Sequence, residues 1–109
     1  MEEIPSKVGM RDTTVPLGID DIREKIRLGE YDMTLHAMQE MAEDGLHIVD
    51  VETAVMNGRI ARTEENDLRG TTFVVEGTNS DSSVPVGVVG RFTASGRYLV
   101  ITVYEITNE

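Results

Sequence analysis

Along the chain the spacing of apolar positions changes once, near residue 58. Before that point they recur every three to four residues, as on one face of a helix. After it they alternate or cluster as β-branched stretches. Ile19, Ile22 and Ile26 make one stripe, with Asp20 available as a cap and Gly29 as a stop. This predicts a first helix whose apolar side docks onto the domain's own sheet, with charged residues on the other side. Thr34 offers a capping hydroxyl to a second helix over 35–44, with Gly45 as its left-handed stop. At about 100° per residue, Leu35, Ala37, Met38, Met41 and Ala42 fall on one broad side, expected to face the core. His36, Gln39, Glu40, Glu43 and Asp44 fall on the other. The methionines read as core filling rather than as a ligand-binding surface. A third helix is expected over 48–56, with Ile48, Val51, Ala54 and Val55 apolar. His47 stands at its N-cap, Asp50 complements its dipole and Asn57-Gly58 closes it.

Four stretches then carry strand character: 59–65, 72–77, 84–92 and 98–106. The connections at 66–70, 78–83 and 94–96 are short. They favour an antiparallel meander, because a parallel pairing needs a long crossover. Pro85 belongs at an edge or at the start of its strand, and Asn79-Ser80-Asp81-Ser82-Ser83 reads as a solvated loop. Tyr31 to Met33 is too short to be read as a strand. Residues 1–18 hold Pro5, Gly9, Pro16 and Gly18 without a period, and are expected to form a flexible arm before a single domain over 19–109. The expected class is α+β: two to three N-terminal helices packed on a four-stranded antiparallel β-meander.

A length of 109 residues suits one core, and 39% hydrophobic with 28% charged residues is ordinary for a globular domain. The absence of cysteine excludes disulfides, thiol nucleophiles and cysteine-ligated zinc. No apolar run approaches the roughly 20 residues of a membrane-spanning helix. The N-terminus has no basic start followed by an apolar stretch, so no secretory signal is expected and a cytoplasmic location is the default. Charge changes the picture more. Ten basic against twenty acidic residues give −10, and the imbalance lies mainly in residues 1–66, with seven basic and fifteen acidic. Nucleic-acid binding draws its affinity from cations that neutralise phosphates, so RNA is disfavoured unless Arg69, Arg91 and Arg97 gather on one surface. The plain alternative is that acidity provides solubility.

Several groups of residues together resemble a known family: Ile22-Arg23-Glu24-Lys25-Ile26, Gly29, Thr34-Leu35-His36-Ala37, Met41, Gly45-Leu46, Asp50-Val51, Gly58 and Val100-Ile101-Thr102-Val103-Tyr104. Over about 19–106 the chain resembles the family catalogued as domain of unknown function 4258. That family is similar to the BrnT and RelE toxins of bacterial toxin–antitoxin pairs, which are small ribonucleases, and looks related to MqsR-type toxins paired with zinc-finger antitoxins. The resemblance implies a prokaryotic source, a RelE/BrnT-like fold and an antitoxin-like protein partner. It also implies RNA cleavage, which needs a base, an acid and a cation or amide donors for the phosphorane charge. His36 and Tyr104 are the candidates for acid–base work and Arg91 for charge stabilisation, with Arg69 and Arg97 as candidate RNA contacts. No cofactor or metal is implied. Where the family's second helix reads His-Ala-x-x-Arg-Met-x-x-Arg-Gly, this chain has Glu40 and Asp44 in place of the arginines. The stripe at i, i+4, i+8 is therefore one imidazole and two carboxylates, so RNA-cleaving activity is expected to be weakened or absent.

Each candidate has a structural alternative. His36 can bond locally at its helix start, or share a divalent ion with Glu40 and Asp44. Tyr104 can be a cross-strand packing residue. Arg91 can cover apolar surface with its stem. Two functions follow: a toxin-like ribonuclease, degenerate or specialised, using His36, Arg91 and Tyr104 in one cleft, or a non-catalytic module that holds a protein partner with its sheet or acidic helix and exposes an apolar or flat patch.

Overall fold

A computed structural model describes residues 17–66 and 70–107; the expected arm over 1–18 lies almost wholly outside them. Three helices and five strands follow in the order α1 (Ile19–Leu28), β1 (Tyr31–Met33), α2 (Leu35–Glu43), α3 (Ile48–Asn57), β2 (Arg59–Asn66), β3 (Gly70–Thr78), β4 (Pro85–Phe92) and β5 (Tyr98–Glu105). The fold is α+β, with one correction to the sheet. It has five strands in the order β1-β5-β4-β3-β2, and β1 runs parallel to β5. The segment too short to read as a strand pairs as one, Tyr31 opposite Tyr98 and Met33 opposite Val100. Residues 34–97 supply the long crossover that a parallel pairing requires. The rest is the expected antiparallel meander.

The helices lie on one face of the sheet. Ile22 and Ile26 of α1, Ala37 of α2, and Val51, Ala54 and Val55 of α3 pack with Phe73, Val75, Val86, Val88, Tyr98, Val100 and Val103. Strict alternation along β5 would send Val103 to the far face. A bulge prevents this: Val89 pairs with Thr102 and Gly90 with Val100, so Ile101 is the extra residue and Val100 and Val103 point the same way. A second bulge at Ala61 does the same for Ile60 and Thr63 in β2.

Capping departs from expectation at α1. Gly18, not Asp20, is the N-cap residue, and Asp21 accepts its backbone N–H at 2.7 Å. Asp20 lies 3.6 Å from Arg23 instead. Arg23 reaches across to α3, donating from Nε to the Val55 carbonyl (3.2 Å) and from Nη2 to the Gly58 carbonyl (2.7 Å). A cation there satisfies carbonyls that a helix C-terminus leaves open. The same end of α3 touches the sheet so closely that a β-carbon on Gly58 or Gly77 would collide with the Ala54 carbonyl. Asn57 completes the contact, accepting from the Thr78 N–H at 3.0 Å.

Not every apolar position of the helices goes inward. Leu35 is 68% exposed and Met38 44% exposed, while Ala37 is buried and Met41 half-buried. Ile48, Val49 and Met56 of α3 are exposed as well. The face of α2 is rotated from the expected one because its acidic side chains have a structural task.

Candidate functional site

Strand β5 is flanked by β1 over only three residues, which leaves the backbone of its second half without a strand neighbour on that side among the described residues. Helix α2 takes over. Thr34 donates its N–H to the Val100 carbonyl (3.0 Å) and its hydroxyl to the Ile101 carbonyl (3.1 Å), while Oγ1 accepts from the Ala37 N–H (3.0 Å) as the helix cap. Glu40 then accepts the Val103 N–H at 3.1 Å, and Asp44 accepts the Glu105 N–H at 2.9 Å. The spacing explains the fit. Four residues of helix rise about 6 Å, and two residues of strand about 6.6 Å. Carboxylates at i and i+4 therefore match alternate amides of a strand lying alongside. Glu40 and Asp44, read from the sequence as carboxylates standing in place of arginines, are acceptors that close a sheet edge.

His36 shares this helix. Its Nε2 lies 3.0 Å from the second oxygen of Glu40, and its side chain is 66% exposed. The two carboxylates of the stripe are thus held by backbone donors. Among the described residues no three histidine, aspartate or glutamate side chains converge as a metal-holding group.

Arg91 and Tyr104 lie elsewhere. Pairing places Arg91 beside Thr72 and Leu99, and Tyr104 beside Gly87, all on the helix-free face. The Tyr104 ring lies flat across Gly87, where a β-carbon would collide with it. Four residues of β4 separate the two positions, about 13 Å along the strand. Arg62 and Arg59 of β2 share this face, opposite Val74 and Glu76. His36 sits on α2, whose Ala37 packs into the core on the other side. The three candidates therefore do not meet in one cleft. Arg97 is held at the mouth of β1 and β5, donating to Asp32 at 2.8 and 3.2 Å and to the Tyr31 carbonyl at 3.1 Å. Its guanidinium keeps the Asp32 carboxyl below the usual carboxylate range. Arg69 lies outside the described residues. Two surface grooves, one beside Phe73 and Phe92 and one beside Arg59 and Pro85, are lined without His36, Arg91, Arg97 or Tyr104.

Three polar features escaped the sequence reading. Asp50 is buried at the start of α3 and accepts from the His47 N–H (2.8 Å), the Ser80 N–H (2.9 Å) and the Ser80 hydroxyl (2.8 Å). These donors, the Ser80 N–H foremost, hold its carboxyl below the ordinary value. It ties the 79–84 loop to the helix layer. Its place in the first helical turn was visible in the sequence; its partner Ser80, thirty residues away, was not. Tyr31 donates to Glu52 of α3, and burial first, then that carboxylate, raise its phenol well above the ordinary range. Tyr98 is fully buried with its ring across Gly90 and against Phe92, at 5.1 Å between centroids. Its hydroxyl has no hydrogen-bond partner among the described residues.

The geometry defines a class of small α+β proteins: among the described residues, helices on one sheet face and none on the other, and a helix closing one sheet edge through its side chains. The family model for the domain of unknown function DUF4258 matches residues 33–105, more than half of the chain, and the chain belongs to that family. Helix α1 precedes the matched residues. Neither a curated protein nor a solved structure matches this chain.

Proposed function

We propose that this chain is a non-cleaving relative of the RelE- and BrnT-type toxin ribonucleases and acts by holding a protein partner. One observation carries the reading. The α2 positions where the resemblance expects arginines are carboxylates engaged with the β5 backbone, so the helix bearing His36 presents no cation to a phosphate. The partner surface is the solvent side of the helices. Leu35, Met38 and Ala42 fall within about 60° of one another on α2, and Ile48, Val49 and Met56 are exposed on α3. Exposed apolar residues at helical spacing on an acidic chain suit a partner segment with apolar and basic side chains. An antitoxin-like protein is one such partner.

Expression of the chain in a bacterium should leave growth unaffected, and the purified protein should leave RNA intact. A protein should co-purify from the native source and be lost with the Leu35→Glu/Met38→Glu double variant. RNA cleavage by the wild type that disappears in His36→Ala would overturn the reading. A second reading rests on the helix-free face, where Arg59, Arg62 and Arg91 accompany Tyr104. There a weakened ribonuclease would work without His36, and RNA cleavage sensitive to Tyr104→Phe and Arg91→Ala but not to His36→Ala would favour it.

A further inference from the structure

The two edges of the sheet are treated differently. On the β1 side, Glu40 and Asp44 occupy the amides that β1 leaves free. On the other side, β2 pairs with β3 and, among the described residues, with no further strand. An eight-residue edge presents a row of N–H and C=O groups able to template another strand. The side chains of β2 state which strand that is. Their charges are ordered along the strand, with Arg59 and Arg62 in the first half and Glu64 and Glu65 in the second. Such an order is self-complementary when the strand meets a copy of itself running the opposite way.

We infer that β2 is the seat of a homodimer in which two copies pair antiparallel about Thr63, joining their sheets into one. The register follows from the faces. Arg62 and Glu64 stand opposite Val74 and Thr72 and so share the helix-free face, whereas Thr63, opposite Phe73, points to the helix side. Centring the pair on Thr63 sets Arg62 across from the partner's Glu64 and Glu64 across from the partner's Arg62, with the two threonines facing each other. Opposite charges and threonine pairs directly across strands are favourable, and like charges are unfavourable. Shifting the register by two residues either way sets Arg62 against Arg62 or Glu64 against Glu64. Charge therefore selects one register among those that keep both helix layers on the same side. The contact is isologous, as a two-fold dimer requires.

In the free chain Arg62 and Glu64 form an ion pair along the strand at 3.4 Å, neither having another ionic partner among the described residues, and their side chains are 58% and 60% exposed. Both are available for a second partner. Charged edge residues ordinarily prevent pairing, and here they exclude any strand lacking the complementary order. The net charge of −10 on each chain opposes association. At physiological salt that repulsion is screened beyond about 8 Å, while residues directly across strands are about 5 Å apart.

Sedimentation of the full chain at about 100 μM should return a dimer mass. Arg62→Glu alone and Glu64→Arg alone should each be monomeric, with thermal melts confirming that both are folded. Mixed in equal amounts they should form a heterodimer, and the Arg62→Glu/Glu64→Arg double variant should dimerise again. The chain lacks cysteine, so Thr63→Cys introduces a single thiol that a short thiol-reactive reagent should link across the two-fold. Glu43→Cys, on exposed α2, should not be linked. A monomeric wild type, single variants that still dimerise, no heterodimer on mixing, or no preferential linking at position 63 would each overturn the proposal.

Discussion

At the scale of single residues, two buried polar groups make opposite contributions. Asp50 is surrounded by donors. Removing its carboxylate strands the Ser80 and His47 amides, and Asp50→Ala should lower stability by about 2–3 kcal/mol in denaturant unfolding at neutral pH. The pH dependence has a definite sign. A carboxyl with a depressed folded pKa stabilises above its unfolded value of about 3.9, and that contribution is lost as pH falls through the folded pKa. The gap between wild type and variant should therefore be constant near neutrality and narrow in acid; a gap that widens in acid would contradict the assignment. Tyr98 is the converse. Its hydroxyl is buried without a partner among the described residues, and desolvation pushes its pKa far up. Tyr98→Phe should be neutral or stabilising by up to about 1 kcal/mol, since no hydrogen bond is lost and a buried polar atom is removed. A loss of more than that in the same measurement would reveal a partner for the hydroxyl.

At the scale of elements, α2 acts as a substitute for a strand. Glu40→Ala should cost about 1–3 kcal/mol, because it leaves the buried Val103 N–H without an acceptor, and Asp44→Ala less, about 0.5–1.5 kcal/mol, because water can reach the exposed Glu105 N–H. Hydrogen exchange separates the two: Glu40→Ala should speed exchange at Val103, and Asp44→Ala at Glu105. Glu40→Gln keeps an acceptor oxygen and should fall between wild type and Glu40→Ala. Equal exchange at Val103 in all three proteins would remove the helix from this role. At the contact of α3 with β3, Gly77→Ala forces a β-carbon onto the Ala54 carbonyl and should destabilise by about 1–3 kcal/mol in thermal or denaturant melts. Much of this level was legible in the sequence. Thr34 as a cap, Gly29 and Gly45 as left-handed stops and the four meander strands are where local chemistry placed them. The side of α2 was not legible. Its apolar period suggests Leu35 and Met38 as core, but a strand edge lying alongside is invisible to a helical wheel.

At the scale of the whole molecule, the separation of His36 from Arg91 and Tyr104 bears on activity. The residues of the supposed triad are spread over a helix and the opposite sheet face, so their single substitutions should not act as a unit. In an RNA-cleavage assay, a catalytic triad would give similar losses for His36→Ala, Arg91→Ala and Tyr104→Phe, no greater when combined. The expected outcome is no cleavage by any of these proteins, the wild type included. The candidate site was legible only as residue types. His36, Arg91 and Tyr104 were each identifiable as able to do chemistry, but they stand on a helix and two strands whose relative placement is tertiary, and the face of Tyr104 depends on the bulge at Ile101, which alternation does not announce.

Composition gives the excess of negative charge and motif resemblance the family; what else the sequence determined by itself rests on neighbours within a few positions: helix spans, the N-caps of α2 and α3, the four meander strands and the turn glycines. These follow from backbone sterics and local periodicity, which act over one or two turns. Tertiary structure decided the rest. It paired Tyr31–Met33 with a strand more than sixty residues away, brought Ser80 to Asp50 and laid α2 against the open edge of β5. Glu40 and Asp44 carry the difference most plainly. In the sequence they are charges on a helix; in the fold they are hydrogen-bond acceptors, because only the folded chain brings two strand amides into register with them.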